Sequence, residues 1–189
     1  MSVIKADGYG HGAIRVAKTL RASNSFAVAR LEEAADLRMA GINSPVCVLE
    51  GVSSERDFLR ARELGLQLIV HSRHQINLYK KHGSNVPIWV KIDSGMGRLG
   101  FSSHQCLEVL KSLNGLNLIG IISHLSHADD LTSNRTEEQL QILSKEILPI
   151  AKKQKLDFNL ANSAGLIGWK ESLSDWIRPG LMLFGVSPF

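Results

Sequence analysis

Short apolar runs recur along the chain, each followed by a longer stretch in which apolar positions return every three or four residues. The short runs read as buried strands at residues 3–6, 26–29, 46–50, 67–70, 88–92, 118–123, 158–161 and 181–185. The intervening stretches read as amphipathic helices at residues 13–22, 31–40, 55–64, 73–81, 103–113 and 137–154, with a short or absent helix after Asn162. Local signals agree. Gly41 suits a helix C-terminus, Ser53 or Ser54 a cap ahead of Glu55 and Asp57, and Ser72 a cap before Arg73. Strands alternating with helices imply an α/β fold with a parallel sheet. A closed (β/α)₈ barrel would spread functional residues over the C-terminal ends of many strands, whereas an open doubly wound sheet would gather them at one switch point.

Composition changes this picture little. The 189 residues are 44% hydrophobic and 21% charged, as in an ordinary globular protein. No apolar run is long enough for a transmembrane helix, and the start has no signal-peptide layout, so a cytoplasmic protein with no membrane partner is expected. The net charge of +4 is not gathered into a basic cluster, which argues against a nucleic-acid partner and suits small anionic ligands. Cys47 and Cys106 lack a second pair or a CxxC spacing and read as buried spectators.

Candidate chemistry falls at strand ends. In Val3-Ile4-Lys5-Ala6-Asp7-Gly8-Tyr9-Gly10-His11-Gly12 a lysine closes an apolar strand ahead of a glycine-rich loop. Burying an ammonium is costly, and a neutral amine is the nucleophile that forms a Schiff base with an aldehyde. A strand-end lysine that snorkels to solvent is the plainer alternative. Asp93-Ser94-Gly95-Met96-Gly97-Arg98-Leu99-Gly100 contains a literal GxGxxG after a strand, a hint of a dinucleotide site. The following strand runs into His124 instead of an acidic ribose ligand, and Arg98 sits among the glycines, which weakens that hint. His124, His127, Asp129 and Asp130 could invite a metal, but no further ligand set supports one, and none is expected. In Ala161-Asn162-Ser163-Ala164-Gly165 a hydroxyl at a strand-to-helix turn reads as a phosphate cradle, as a plain helix N-cap, or as both.

Taken in order, these segments, with Ile177-Arg178-Pro179-Gly180-Leu181-Met182-Leu183-Phe184-Gly185 and Phe26-Ala27-Val28-Ala29-Arg30-Leu31-Glu32-Glu33-Ala34, resemble the alanine racemases over essentially the whole chain. Asp7 and Gly8 are mild departures from that family's lysine motif. The resemblance implies a (β/α)₈ TIM-type barrel of the fold type III pyridoxal 5′-phosphate (PLP) enzymes, spanning residues 1–189 and truncated at both ends, with the family's C-terminal β-domain absent. It implies PLP on Lys5, its phosphate held by Tyr9, Asn162, Ser163 and the backbone at Gly180 and Leu181, and its ring by His124 and Arg178. Arg178, a permanent donor, would face the pyridine nitrogen and keep it unprotonated. Arg98 would meet the substrate carboxylate and the PLP phenolic oxygen, and Lys91, carbamylated in some members, would orient it.

The implied reaction interconverts L- and D-alanine, supplying D-alanine for peptidoglycan, in a homodimer. Racemisation needs a base on each face of the substrate. The family draws its second base, a tyrosine, from the C-terminal domain of the partner subunit. Tyr9 and Tyr79 are poor substitutes, so the chain alone is expected to bind PLP and to racemise poorly. Other readings are a single-domain PLP-binding homeostasis protein without racemase activity, a nucleotide-binding oxidoreductase, and a PLP-dependent decarboxylase of the same barrel type, for which a Gly-Gly-rich phosphate loop is missing.

Overall fold

The computed structural model describes residues 1–83 and 85–189. They form two compact units, one of residues 1–88 with 115–117, the other of residues 89–114 with 118–189.

In the first unit four parallel strands pair in chain order: β1 (Ser2–Val3), β2 (Phe26–Val28), β3 (Val46–Val48) and β4 (Gln67–Val70). Phe26, Ala27, Val28, Val46, Cys47 and Val48 are all buried, as expected of parallel strands covered on both faces. The helices between the strands are Ala13–Thr19, Leu31–Met39, Glu55–Glu63 and Arg73–His82. Two start on the expected caps: Ser54 Oγ accepts from Asp57 N–H at 3.1 Å, and Ser72 Oγ from Gln75 N–H at 3.3 Å. Gly41 takes φ +80° just past the Leu31–Met39 helix and donates to Arg38 O at 3.0 Å. The Arg38 guanidinium then donates to the carbonyls of Ile42, Ser44 and Leu64, fixing two helix-to-strand turns at once.

The first strand ends sooner than the sequence suggests. β1 stops at Val3, and Ala6, Asp7, Gly8 and Tyr9 follow with φ of +52°, +51°, +62° and +53°, a turn of left-handed helix. Each non-glycine residue in that conformation costs roughly 1–2 kcal/mol, so something must hold it. Gly8 N–H returns to Ile4 O at 2.9 Å and Gly12 N–H to Asp7 O at 2.8 Å, while Asp7 Oδ1 accepts from Ala13 N–H at 2.8 Å. The Glu33 carboxylate accepts from the N–H groups of Ala6, Ala29 and Arg30 and so ties the turn to the start of the next helix.

In the second unit β5 (Ile88–Asp93), of which residues from Trp89 onward belong here, neighbours β7 (Leu118–Ile122), and β7 pairs in parallel with β8 (Asp157–Asn159). A strand absent from the sequence reading, β6 (Phe101–Ser102), pairs with the end of β5. Gly100 makes this possible. A side chain there would lie 2.9 Å from Asp93 N and 3.1 Å from Lys91 O, at φ +125°. Gly120 is equally constrained: a Cβ would sit 2.3 Å from the Trp89 ring, which packs edge-on against Trp176 at 5.9 Å.

The expected long helix runs from Arg135 to Gln154, but its middle, Leu143–Ile147, is a wider π-helical turn. Pro149 explains it: proline lacks an N–H and clashes with the carbonyl four residues earlier in a regular helix. The stretch at 181–185, read from sequence as the eighth strand, is instead a 3₁₀ turn, Leu181–Phe184, closed by Gly185 at φ +76°. Extended backbone lies just upstream, where Trp176 N–H donates to Phe158 O at 3.1 Å and Arg178 N–H to Ala161 O at 2.7 Å. Pro179, which has no donor, and Gly180 then turn the chain away.

Candidate active site

In the first unit Lys5 is half-buried and opens the left-handed turn. Tyr9 closes that turn, also half-buried, and burial raises its phenol above the ordinary value of 10.0. The strained residues Ala6 and Asp7 therefore lie between the two side chains that the sequence singles out here, and Tyr9 is itself at positive φ.

The second unit holds the rest, and Arg178 is its centre. The residue is 4% exposed. Its guanidinium donates to Asn159 Oδ1 and to the carbonyls of Ser123 and Leu160, and one nitrogen lies 3.2 Å from His124 Nδ1. The amide and carbonyl oxygens are neutral acceptors arranged around a group that cannot lose its proton. Asn159 carries no role in the sequence reading, where it is one polar position within the strand expected at 158–161. Arg178 has only donors to offer, so the amide must turn Oδ1 toward it. That leaves Asn159 Nδ2 buried with no hydrogen-bond partner in the structure.

Asn162 takes the helix-capping role that the sequence left open for Ser163. Asn162 is the N-cap of the helix Ser163–Gly168: its Oδ1 accepts from Gly165 N–H at 2.8 Å, and its Nδ2 donates to Leu125 O at 3.2 Å. Ser163 is released from capping. Its Oγ accepts from Gly180 N–H at 3.0 Å and Met182 N–H at 3.3 Å, with Leu181 between them. These amides are taken by the serine, whose own O–H is left to donate to an anion, and a phosphate monoester bound here would share the amides with Ser163 Oγ.

The loop after β5 is built around Asp93. Its carboxylate accepts from Gly95 N–H at 2.9 Å, Met96 N–H at 2.8 Å and Gly97 N–H at 2.9 Å. A phosphate-binding glycine loop would aim such amides at the ligand; here they are taken by the protein's own anion, and Gly100 serves the turn into β6. This removes the basis for a dinucleotide site. Arg98 is exposed on the same loop, and Lys91 is 9% exposed within β5. His127, exposed, contacts Ser126 Oγ at 2.8 Å, and Asp130 accepts from the Thr132 amide and hydroxyl. Among the described residues no group of three His, Cys, Asp or Glu side chains is placed to hold a metal ion. None of their helices is long and apolar enough to cross a membrane.

The buried guanidinium beside an imidazole, and the hydroxyl with its backbone amides, are carried on a parallel α/β scaffold. Solved structures share that scaffold. The structure of alanine racemase from Acinetobacter baumannii superposes with a TM-score of 0.90 at 34% identity, covering 100% of this chain and 54% of that one. The biosynthetic alanine racemase from Pseudomonas aeruginosa gives 0.88 at 33%, covering 100% and 53%. The fold is thus that of the TIM-type α/β barrel domain in those enzymes.

The family follows directly. Residues 1–188 match the model for the alanine racemase N-terminal domain, and the chain belongs to that family, which is PLP-dependent. It is 40% identical over 194 residues to an alanine racemase of Coxiella burnetii (strain CbuG_Q212), covering 100% of this chain and 52% of that protein. It is 42% identical over 195 residues to one of Nitrosococcus oceani, covering 100% and 53%. The chain therefore spans about half the length of the curated relatives it matches.

Proposed function

We propose that this chain is the PLP-binding part of a cytoplasmic, homodimeric alanine racemase that makes D-alanine for peptidoglycan. The observation that carries the reading is Arg178, a buried guanidinium set among neutral acceptors beside His124, in a chain that matches the racemase family from end to end. A permanent donor of this kind suits an unprotonated pyridine nitrogen.

The residues are assigned unit by unit. In the first, Lys5 would hold PLP through its amine and Tyr9 would bind the phosphate. In the second, Asn162, Ser163, Gly180 and Leu181 serve the phosphate and Arg178 and His124 the ring. Arg98 takes the alanine carboxylate as a bidentate fork, with Lys91, as its carbamate, orienting it. When bound, PLP supplies the electron sink that makes the substrate Cα proton acidic. Arg178, as a permanent donor, would face the pyridine nitrogen and leave it unprotonated, which would weaken that sink and favour return of the proton to Cα over transamination. The Lys5 amine, freed by substrate, takes or returns that proton on one face.

A base for the other face is not offered by Tyr79. It is buried, its hydroxyl accepts from Val52 N–H at 3.0 Å and donates to Val52 O at 3.2 Å, and burial pushes its phenol well above the ordinary range. We assign that base to residues outside 1–189, in a C-terminal domain of the partner subunit. Residues 1–189 alone then bind PLP and racemise poorly.

The test is spectroscopic. PLP added to the protein should give a visible absorption band that borohydride fixes and Lys5→Ala abolishes, and the complete protein should form D-alanine from L-alanine. A band unaffected by Lys5→Ala would overturn the Lys5 assignment. A Lys5-dependent band without D-alanine would favour a PLP-binding protein lacking racemase chemistry.

A further inference from the structure

Gln139 lies on the helix Arg135–Ile142, away from every motif, yet it is only 2% exposed. Its Nε2 donates to Ser94 Oγ at 2.9 Å and to His124 O at 2.9 Å. Its Oε1 accepts from Ser126 N–H at 2.9 Å and from Ser126 Oγ at 3.0 Å. Both ends of the amide are fixed by their neighbours, because Ser126 N–H can only donate and the His124 carbonyl can only accept. Two donors and two acceptor sites are thus all in use. Ser94 continues the network to Ser123 Oγ at 3.1 Å, and the Ser123 carbonyl accepts from Arg178. Gly95 lies near the glutamine stem: a Cβ there would come within 3.7 Å of Gln139 Cγ.

We propose that Gln139 is a positioning residue for substrate and cofactor binding: its one buried carboxamide fixes the Arg98 loop, through Ser94, to the β7 end that carries His124 and Ser123. The proposal rests on the reading that Arg98 meets substrate and that Arg178 and His124 meet the ring. Arg98 is exposed, and its loop is closed at the base by the β5–β6 pairing and braced from within by Asp93. Above that base Ser94 ties it outward to Ser123 and to Gln139, and Gln139 alone of the two also holds the His124 carbonyl and the Ser126 amide. A leucine or methionine there would fill the space but leave the Ser126 amide and the His124 carbonyl without partners. A glutamate would keep the acceptor side and set an oxygen against the His124 carbonyl.

The test compares Gln139→Met, Gln139→Glu, Ser94→Ala and Leu143→Ala in the complete protein. Readouts are KM and kcat for alanine, PLP affinity by absorbance titration, and the thermal midpoint. Leu143 is buried on the same helix without a tie to either loop, so its truncation reports simple loss of stability. Displacement of a binding group by about 1 Å can cost up to a hundredfold, so Gln139→Met is expected to raise KM about tenfold and to weaken PLP binding several-fold. Gln139→Glu, losing the donor half, should do much of the same, whereas Leu143→Ala lowers the midpoint and leaves KM and PLP affinity within about twofold. If Gln139→Met does not fold, Ser94→Ala severs the tie from the loop side and must raise KM on its own. Unchanged KM and PLP affinity in folded Gln139 variants, or equal changes in Leu143→Ala, overturn the proposal. Arg98→Ala, run alongside, separates the two levels. If it leaves KM unchanged, the substrate assignment fails and the positioning role falls with it. If it raises KM while the Gln139 variants do not, only the positioning role fails.

Discussion

Replacing Ala6 with glycine should make the protein more stable, against the usual sense of an alanine-to-glycine change. Ala6 sits at φ +52°, ψ +53°, with its backbone N–H bound to Glu33. An alanine in this left-handed conformation costs about 1–2 kcal/mol that glycine does not incur. Against this, the extra freedom of glycine in the unfolded chain costs about 0.5–1 kcal/mol. The difference is a gain of about 0.5–1 kcal/mol, or roughly 1–4 °C in thermal midpoint for a chain of this size. Gly10→Ala is the mirror experiment. Gly10 has φ +84° and open space around a would-be Cβ, so about 1–2 kcal/mol of backbone strain is set against about 0.5–1 kcal/mol from the stiffer unfolded chain, and a loss of about 0.5–1 kcal/mol is expected. Urea denaturation followed by circular dichroism measures both. A folded Ala6→Gly variant less stable than the parent, or a Gly10→Ala variant with no loss, would refute the claim that the turn after Lys5 is held under strain.

Two further outcomes follow from the same physical rules. Ser163→Ala leaves the Gly180 and Met182 amides without their acceptor and should lower stability by about 1–3 kcal/mol and weaken PLP binding about tenfold or more; unchanged affinity in a fluorescence titration would remove Ser163 from the phosphate site. Burial pushes the Cys106 thiol from 9.0 to about 11, so the folded state holds that proton more tightly. Its stabilising contribution is therefore complete below pH 9.0 and fades as the pH rises through about 11. Iodoacetamide should modify Cys106 slowly in the native protein at mildly alkaline pH and quickly in urea, as intact mass would show; rapid native labelling would contradict the burial.

What the sequence made legible depended on range. In the first unit the strand positions follow from runs such as Phe26–Val28 and Val46–Val48, because a parallel strand buried on both faces is apolar throughout. The residues 181–185 looked like another such run. Pro179, Gly180 and Gly185 around it outweigh its apolar character, and extended pairing falls upstream at Trp176 and Arg178. The left-handed turn could not be read, since Ala6, Asp7 and Tyr9 ordinarily avoid positive φ and only the Glu33 carboxylate and neighbouring amides explain their compliance. The motif residues of the candidate site were visible as types. Their supports were not: Glu33, Asn159 and Gln139 act across 27, 19 and 45 positions of chain, on Ala6, Arg178 and Ser94 respectively. A glutamate in a helix's first turn after Arg30 was the one local signal, as a capping-box partner.

The widened turn at Leu143–Ile147 makes the length of its helix matter as much as its composition. The buried positions Gln139, Leu143, Ile147 and Ala151 are spaced by four. A regular helix turns about 100° per residue, so each such step overshoots by about 40° and three would carry the last position about 120° away from the first. The wide turn absorbs that drift and keeps both ends facing inward. Losing a single residue between 143 and 147 would bring Gln139 and Ala151 to a separation of about three regular turns, so a regular helix would still face both inward. Losing one from the regular turns on either side would instead rotate one end by about 100°. For variant interpretation, a single-residue deletion within the wide turn should therefore be scored as milder than the same deletion elsewhere in the helix.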